Sequence, residues 1–150
     1  MTTKHAVNNF INNKSIAVVG VSRDKMKFGY AVYKGLKDRG YNVVAVNPNI
    51  KEVDSEKCYP TLSSVSEKID GVLLVVPPQQ SEKVVKEARE KRIESIWFQS
   101  GSSSNEAVKF CVENDMLVVK DECILTFTEP VESIHKFHRW ISKIIGKMPK

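Results

Sequence analysis

The chain has 150 residues, 41% of them hydrophobic and 27% charged, and that balance is too apolar for wholesale disorder and ordinary for a globular domain. No apolar run approaches the roughly 20 residues needed to cross a bilayer, so a membrane partner is not expected. The net charge of +5 raises nucleic acid as a partner, but the cations alternate with acids along helical stretches (Glu82-Lys83, Lys86-Glu87, Arg89-Glu90), which reads as a solvated, locally paired face.

Residues 3–13 read as a short first helix with Val7, Phe10 and Ile11 on one side. A buried strand follows at Ser15–Val19, where the apolar run suits a parallel strand covered on both faces. Gly20 opens a turn that carries Arg23, Lys25 and Lys27. A helix then places Phe28, Val32 and Leu36 four residues apart and stops at Gly40. The second strand is Asn42–Val46, running into Asn47-Pro48-Asn49. Residues 50–59 read as a polar loop, and Pro60-Thr61-Leu62 opens a short helix through Lys68. A third strand, Gly71 to Val76, is stopped by Pro77-Pro78. The next helix is expected over Ser81–Lys91, with Val84, Val85 and Ala88 inward. The fourth strand is Ser95–Gln99, ended by Ser100-Gly101. Ser103 to Glu106 has capping-box spacing before a helix, and Met116–Val119 is the fifth strand. A last helix is expected from Pro130, with Ile134, Phe137, Ile141, Ile144 and Ile145 at helical spacing and Trp140 as an anchor onto the sheet or a subunit surface.

About five short strands alternating with helices predict one α/β domain over 1–150, a Rossmann-like doubly wound parallel sheet with helices on both faces. The expected order is 3-2-1-4-5, with the topological switch beside the first strand, where such sheets bind ligands. A strand running straight into a helix leaves unpaired N–H groups at the helix start, and together with the dipole these favour an anion such as phosphate.

The dinucleotide fingerprint needs G-x-G-x-x-G and an acid after the second strand. Here the next glycine after Gly20 is Gly29, Ser22 stands where a second glycine belongs, and Asn47 stands where the acid belongs. A site without that carboxylate does not repel a phosphorylated ribose. With Arg23, Lys25 and Lys27 nearby, the residues point to coenzyme A or NADP. Three widely spaced cysteines without a C-x-x-C pair suggest reduced thiols in the cytoplasm, with no metal site. His135 and His138 offer neither a metal set nor an oriented base for Cys123, so no catalytic residue is assigned.

The ordered set Ala17-Val18-Val19-Gly20-Val21-Ser22-Arg23-Asp24, Lys27-Phe28-Gly29, Val46-Asn47-Pro48, Tyr59-Pro60-Thr61-Leu62, Val76-Pro77-Pro78, Trp97-Phe98-Gln99-Ser100-Gly101 and Asp121-Glu122-Cys123 resembles the stand-alone coenzyme A-binding domains. These are relatives of the nucleotide-binding domain of succinyl-CoA synthetase α subunits, and the resemblance covers roughly residues 10 to 125. It implies that Gly20, Val21, Ser22 and Arg23, with Lys27, Phe28 and Gly29, hold the phosphates of the coenzyme's ADP moiety, and Lys25 adds charge beside them. It implies further that Asn47 and Pro48 lie near the adenosine, that Val76, Pro77 and Pro78 wall the pocket, and that Gln99 and Gly101 lie further along the same edge. It also brings Cys123 towards the coenzyme's thiol. The family pattern has a basic residue where this chain has Glu122. The expected function is coenzyme A or acyl-CoA binding without catalysis of its own; the alternatives are an NADP-linked reductase or a coenzyme A-responsive regulator. The ligand is a small nucleotide, and a homodimer is open.

Overall fold

A computed structural model describes residues 4–120 and 122–127. A short helix α1 (Lys4–Ile11) precedes β1 (Ser15–Val19), which leads through the turn into α2 (Phe28–Asp38) and back to β2 (Asn42–Val46). A hairpin of β3 (Glu52–Val53) and β4 (Glu56–Tyr59) follows, then a single 3-10 turn at Leu62–Ser64 and β5 (Gly71–Leu74). The chain continues through α3 (Pro78–Glu90), β6 (Ser95–Phe98), α4 (Asn105–Glu113), β7 (Leu117–Lys120) and a short α5 (Ile124–Phe127).

The strands form one seven-stranded sheet ordered β3-β4-β2-β1-β5-β6-β7, parallel throughout except for β3 against β4. β1 lies between β2 and β5, with Val19 beside Val46 on one side and Leu74 on the other. Both faces are covered, which is why the inner strands read as unbroken apolar runs. One face packs Ala17, Val19, Val44, Val72 and Phe98 against α3 and α4 through Val84, Val85, Ala107 and Cys111. The other packs Ile16, Val18, Leu73 and Trp97 against α1 and α2 through Phe10, Val32 and Leu36, and there Trp97 meets Phe10 edge to face at 5.3 Å.

The Rossmann-like α/β class stands, and several expected details change. The segment 50–59 is not a loop but a hairpin that adds two strands. Its buried residues are Val53, Cys58 and the terminal Tyr59, and its two-residue turn is Asp54-Ser55, both at positive φ (50° and 68°). Such turns usually signal themselves with glycine, and here none is present. The expected order 3-2-1-4-5 is corrected accordingly. The strand at 71–74 does not flank β2 but sits on the far side of β1, and β4 takes the place next to β2.

The helix expected through Lys68 is one 3-10 turn, closed by Thr61 and Ser64 capping each other. α3 starts at Pro78, three residues before the expected Ser81, because a proline is pre-set for a first helical position. The cap of α4 is Ser104, one residue beyond Ser103, with its Oγ accepting from Ala107 N–H at 3.0 Å. The expected helix from Pro130 lies outside the described residues. α2 ends as foreseen: Tyr41 N–H donates to Leu36 O and Gly40 N–H to Lys37 O, the paired bonds of a Schellman close.

Candidate functional site

The carboxyl ends of the parallel strands meet at β1, where α2 leaves on one face of the sheet and α3 packs on the other. Gly20 follows β1 with φ +107°, its N–H donating to Val46 O at 2.9 Å. A Cβ there would overlap Val75 O, so the exit of β1 lies directly on the exit of β5. A Cβ on Gly29 would overlap Gly20 O, so the first turn of α2 is pressed onto the same corner. Any larger side chain at either position would push the helix start away from the sheet.

Between these glycines the loop holds its own shape. Ser22 Oγ accepts from Asp24 N–H at 3.0 Å, and Asp24 Oδ1 accepts from Met26 N–H at 2.9 Å. Arg23, Lys25 and Lys27 are all exposed, and no ion pair engages them among the described residues. Lys27 is the N-cap of α2 and gives it no side-chain cap, so the opening turn of the helix carries cations and uncapped N–H groups together. Met26 (91% exposed) and Phe28 (50%) stand beside them.

A crevice of about 360 Å³ opens alongside, on the α3 face. Val19, Val46, Leu62 and Val84 give it an apolar lining, and Pro48 and Pro60 form its sides. Gln79, Gln80 and Lys83 on α3 supply polar groups, none of them hydrogen-bonded or ion-paired through its side chain within the described residues. Glu87 also lines the crevice and ties its wall, accepting from Leu62 N–H at 3.1 Å, and further along Lys91 Nζ donates to Val65 O at 2.9 Å.

The structure brings most of the sequence-selected residues to this edge. Asn47 ties two of its walls: its Nδ2 donates to Val21 O at 2.7 Å and its Oδ1 accepts from Asn49 N–H at 2.8 Å. Val76 N–H donates to Ser102 Oγ at 3.1 Å, and Ser81 Oγ donates to Ser102 O, which clamps the start of α3 to the loop after β6. Pro77 is the N-cap of α3 and Pro78 its first residue; the crevice is lined by the two glutamines that follow them rather than by the prolines. Gly101 is exposed at φ +87° with open space around it.

Two selected side chains turn away from the edge. Val21 is fully buried among α1 and α2, so only its backbone is available there. Gln99 is 1% exposed, and its Oε1 accepts from Ile124 N–H at 2.7 Å, a packing role. Sequence reading missed Gln79 and Gln80 because α3 was expected to begin at Ser81, and missed Lys83 because its alternation with Glu82 read as a solvated, paired face. The Pro-Pro-Gln-Gln run after an apolar strand was the available signal, since proline opens helices.

Burial pushes the Cys58 thiol up and the Cys111 thiol to about 12. Cys123 is free and half-buried. Among the described residues no group of three His, Cys, Asp or Glu could hold a metal ion, and no helix is long and apolar enough to cross a membrane.

The CoA binding domain family matches residues 14–129. The chain is 36% identical over 80 residues to an ADP-forming acetate–CoA ligase of Methanocaldococcus jannaschii, covering 53% of this chain and 11% of the ligase. It therefore spans about a tenth of that relative's length. It is 32% identical over 112 residues to YneT of Bacillus subtilis, covering 75% of this chain and 83% of that protein. A solved hypothetical protein from Pyrococcus horikoshii superposes with a TM-score of 0.78 at 32% identity, covering 83% of this chain and 88% of that one. The switch-point crevice, the cation-bearing helix start and these matches agree, and the chain belongs to the CoA binding domain family.

Proposed function

We propose that the chain acts as one cytoplasmic ligand-binding domain that holds coenzyme A, free or acylated, by its ADP and ribose-phosphate end and catalyses no reaction of its own. In this reading the diphosphate lies over the uncapped start of α2, beside Arg23, Lys25 and Lys27, where N–H groups, dipole and cations all favour negative charge. The adenine enters the crevice against Val19, Val46, Leu62 and Val84, with the amides of Gln79 and Gln80 able to pair with its polar edge. Asn47 stands at the end of β2 in place of a carboxylate, so a phosphorylated ribose meets no repulsion there. Three free thiols fit a reducing compartment. The observation that carries the reading is the junction at one sheet edge of an apolar crevice with an uncapped, cationic helix start.

The test is mass spectrometry of the small molecule released when purified protein is denatured. Coenzyme A or an acyl derivative is expected. NADP would overturn the coenzyme A reading in favour of a reductase. A protein that emerges empty and then binds neither cofactor in calorimetric titration would leave the edge without a nucleotide.

A further inference from the structure

Besides the cations of the turn, the crevice has a cation of its own, Lys83, and that one has no assigned partner. Lys83 lies in the second turn of α3 and lines the crevice, as does Glu87 one turn further on. The other charges on this stretch are engaged: Lys86 Nζ pairs with Glu82 Oε2 at 3.3 Å, and Glu87 Oε1 accepts from Leu62 N–H. Lys83 makes no ion pair or hydrogen bond within the described residues, although Glu87 follows it by one helical turn. An i, i+4 acid is the usual neutralising partner of such a lysine, and here that acid is turned to the 3-10 segment instead.

We propose that Lys83 is the residue that recognises the phosphate monoester on the ribose, separate from the turn cations that face the diphosphate. This rests on the coenzyme A reading and divides its electrostatics into two sites. A ligand with its adenine in the crevice carries its ribose at the rim, between Pro48 and α3. A phosphate on that ribose meets Lys83, which lies nearer the positive end of α3, and is repelled by Glu87 one turn further from that end. A lysine ammonium is a point charge on a flexible stem, suited to a terminal monoester that needs no bidentate geometry. The ligand class selected is a nucleoside diphosphate ester with a phosphorylated ribose, and its unphosphorylated counterpart gains nothing from Lys83.

Calorimetric titration of the wild type and of Lys83→Gln with coenzyme A and with 3′-dephospho-coenzyme A separates the two sites. The wild type is expected to prefer coenzyme A by about tenfold, the weight of one charge-assisted contact. Lys83→Gln is expected to erase that preference while binding 3′-dephospho-coenzyme A as the wild type does. Lys86→Gln, a change of the same chemistry one turn away, is expected to keep it. An undiminished preference in Lys83→Gln overturns the assignment, as does a wild type with no preference. If the wild type binds neither ligand, the coenzyme A reading itself has failed. Loss of affinity for both ligands alike would make Lys83 part of the general site rather than the reader of the ribose phosphate.

Discussion

The two ends of α2 carry the same kind of residue and treat it in opposite ways. At the carboxyl end, Lys34 pairs with Asp38 at 2.9 Å, Lys37 pairs with Glu56, and Arg39 Nη1 donates to Gly35 O at 2.8 Å. Tyr33 extends this to the β3–β4 hairpin, donating to Glu56 at 3.0 Å, while Tyr30 in the first turn of the helix reaches the same hairpin at Asp54, 2.8 Å away. Cations there also complement the negative end of the helix dipole. At the amino end, Arg23, Lys25 and Lys27 sit against the positive end of the dipole with no carboxylate paired to them in the described chain. At the N-cap itself, Lys27, such a placement costs folding about 0.3–1 kcal/mol. The carboxyl end is built for stability, and the amino end gives up stability in a way that an incoming anion would reverse.

The largest effect that could break this contrast is at its corner. Gly20→Ala adds a Cβ into Val75 O at a φ of +107° and should cost about 3 kcal/mol or more, read as a lower midpoint in denaturant unfolding. A variant as stable as the wild type would mean that the turn is not pressed onto β5. Next, Arg23→Ala with Lys27→Ala should weaken coenzyme A binding by about 1.5 kcal/mol or more. The same double variant should unfold no more easily than the wild type, because it relieves the dipole clash. Equal losses of stability and affinity would instead make these side chains structural.

The smallest effect lies at the other end of the helix. The hydrogen bond from Lys37, with that from Tyr33, holds the Glu56 carboxyl below its ordinary range. A depressed carboxyl contributes stability above its unfolded pKa, near about 4.3, and loses it as the pH falls through the folded value. Glu56→Gln should therefore be less stable than the wild type by no more than about 1 kcal/mol at neutral pH. The difference should shrink as the pH is lowered from about 5 to about 3. A difference that stays constant across that window would remove Glu56 as the source.

The central strands were legible because Ile16–Val19, Val43–Val46 and Val72–Leu74 are buried on both faces and have no need to alternate. The hairpin was not, since Val53, Cys58 and Tyr59 are its few buried residues and its turn uses Asp54 and Ser55. That one omission also displaced the strand order. At the site, the glycine-opened turn and its cations are contiguous in sequence and could be read together. The crevice could not, because Pro48, Leu62, Gln80 and Lys83 come from three separate segments that only the folded sheet brings side by side. Gln99 misled for the opposite reason: its place at a strand's carboxyl end was visible, and the Ile124 N–H that occupies its side chain was not.

The hairpin has one more effect. The outermost rung of the sheet on that side, β3, is two residues long, preceded by an exposed Lys51 and carrying an exposed Glu52. A rung so short and so charged gives a neighbouring molecule almost no backbone to pair with, which is how soluble sheets resist growing into fibrils. Asp54 and Glu56, held by tyrosines of α2, keep that cover closed. Through them, α2 also guards this edge against pairing with a second molecule.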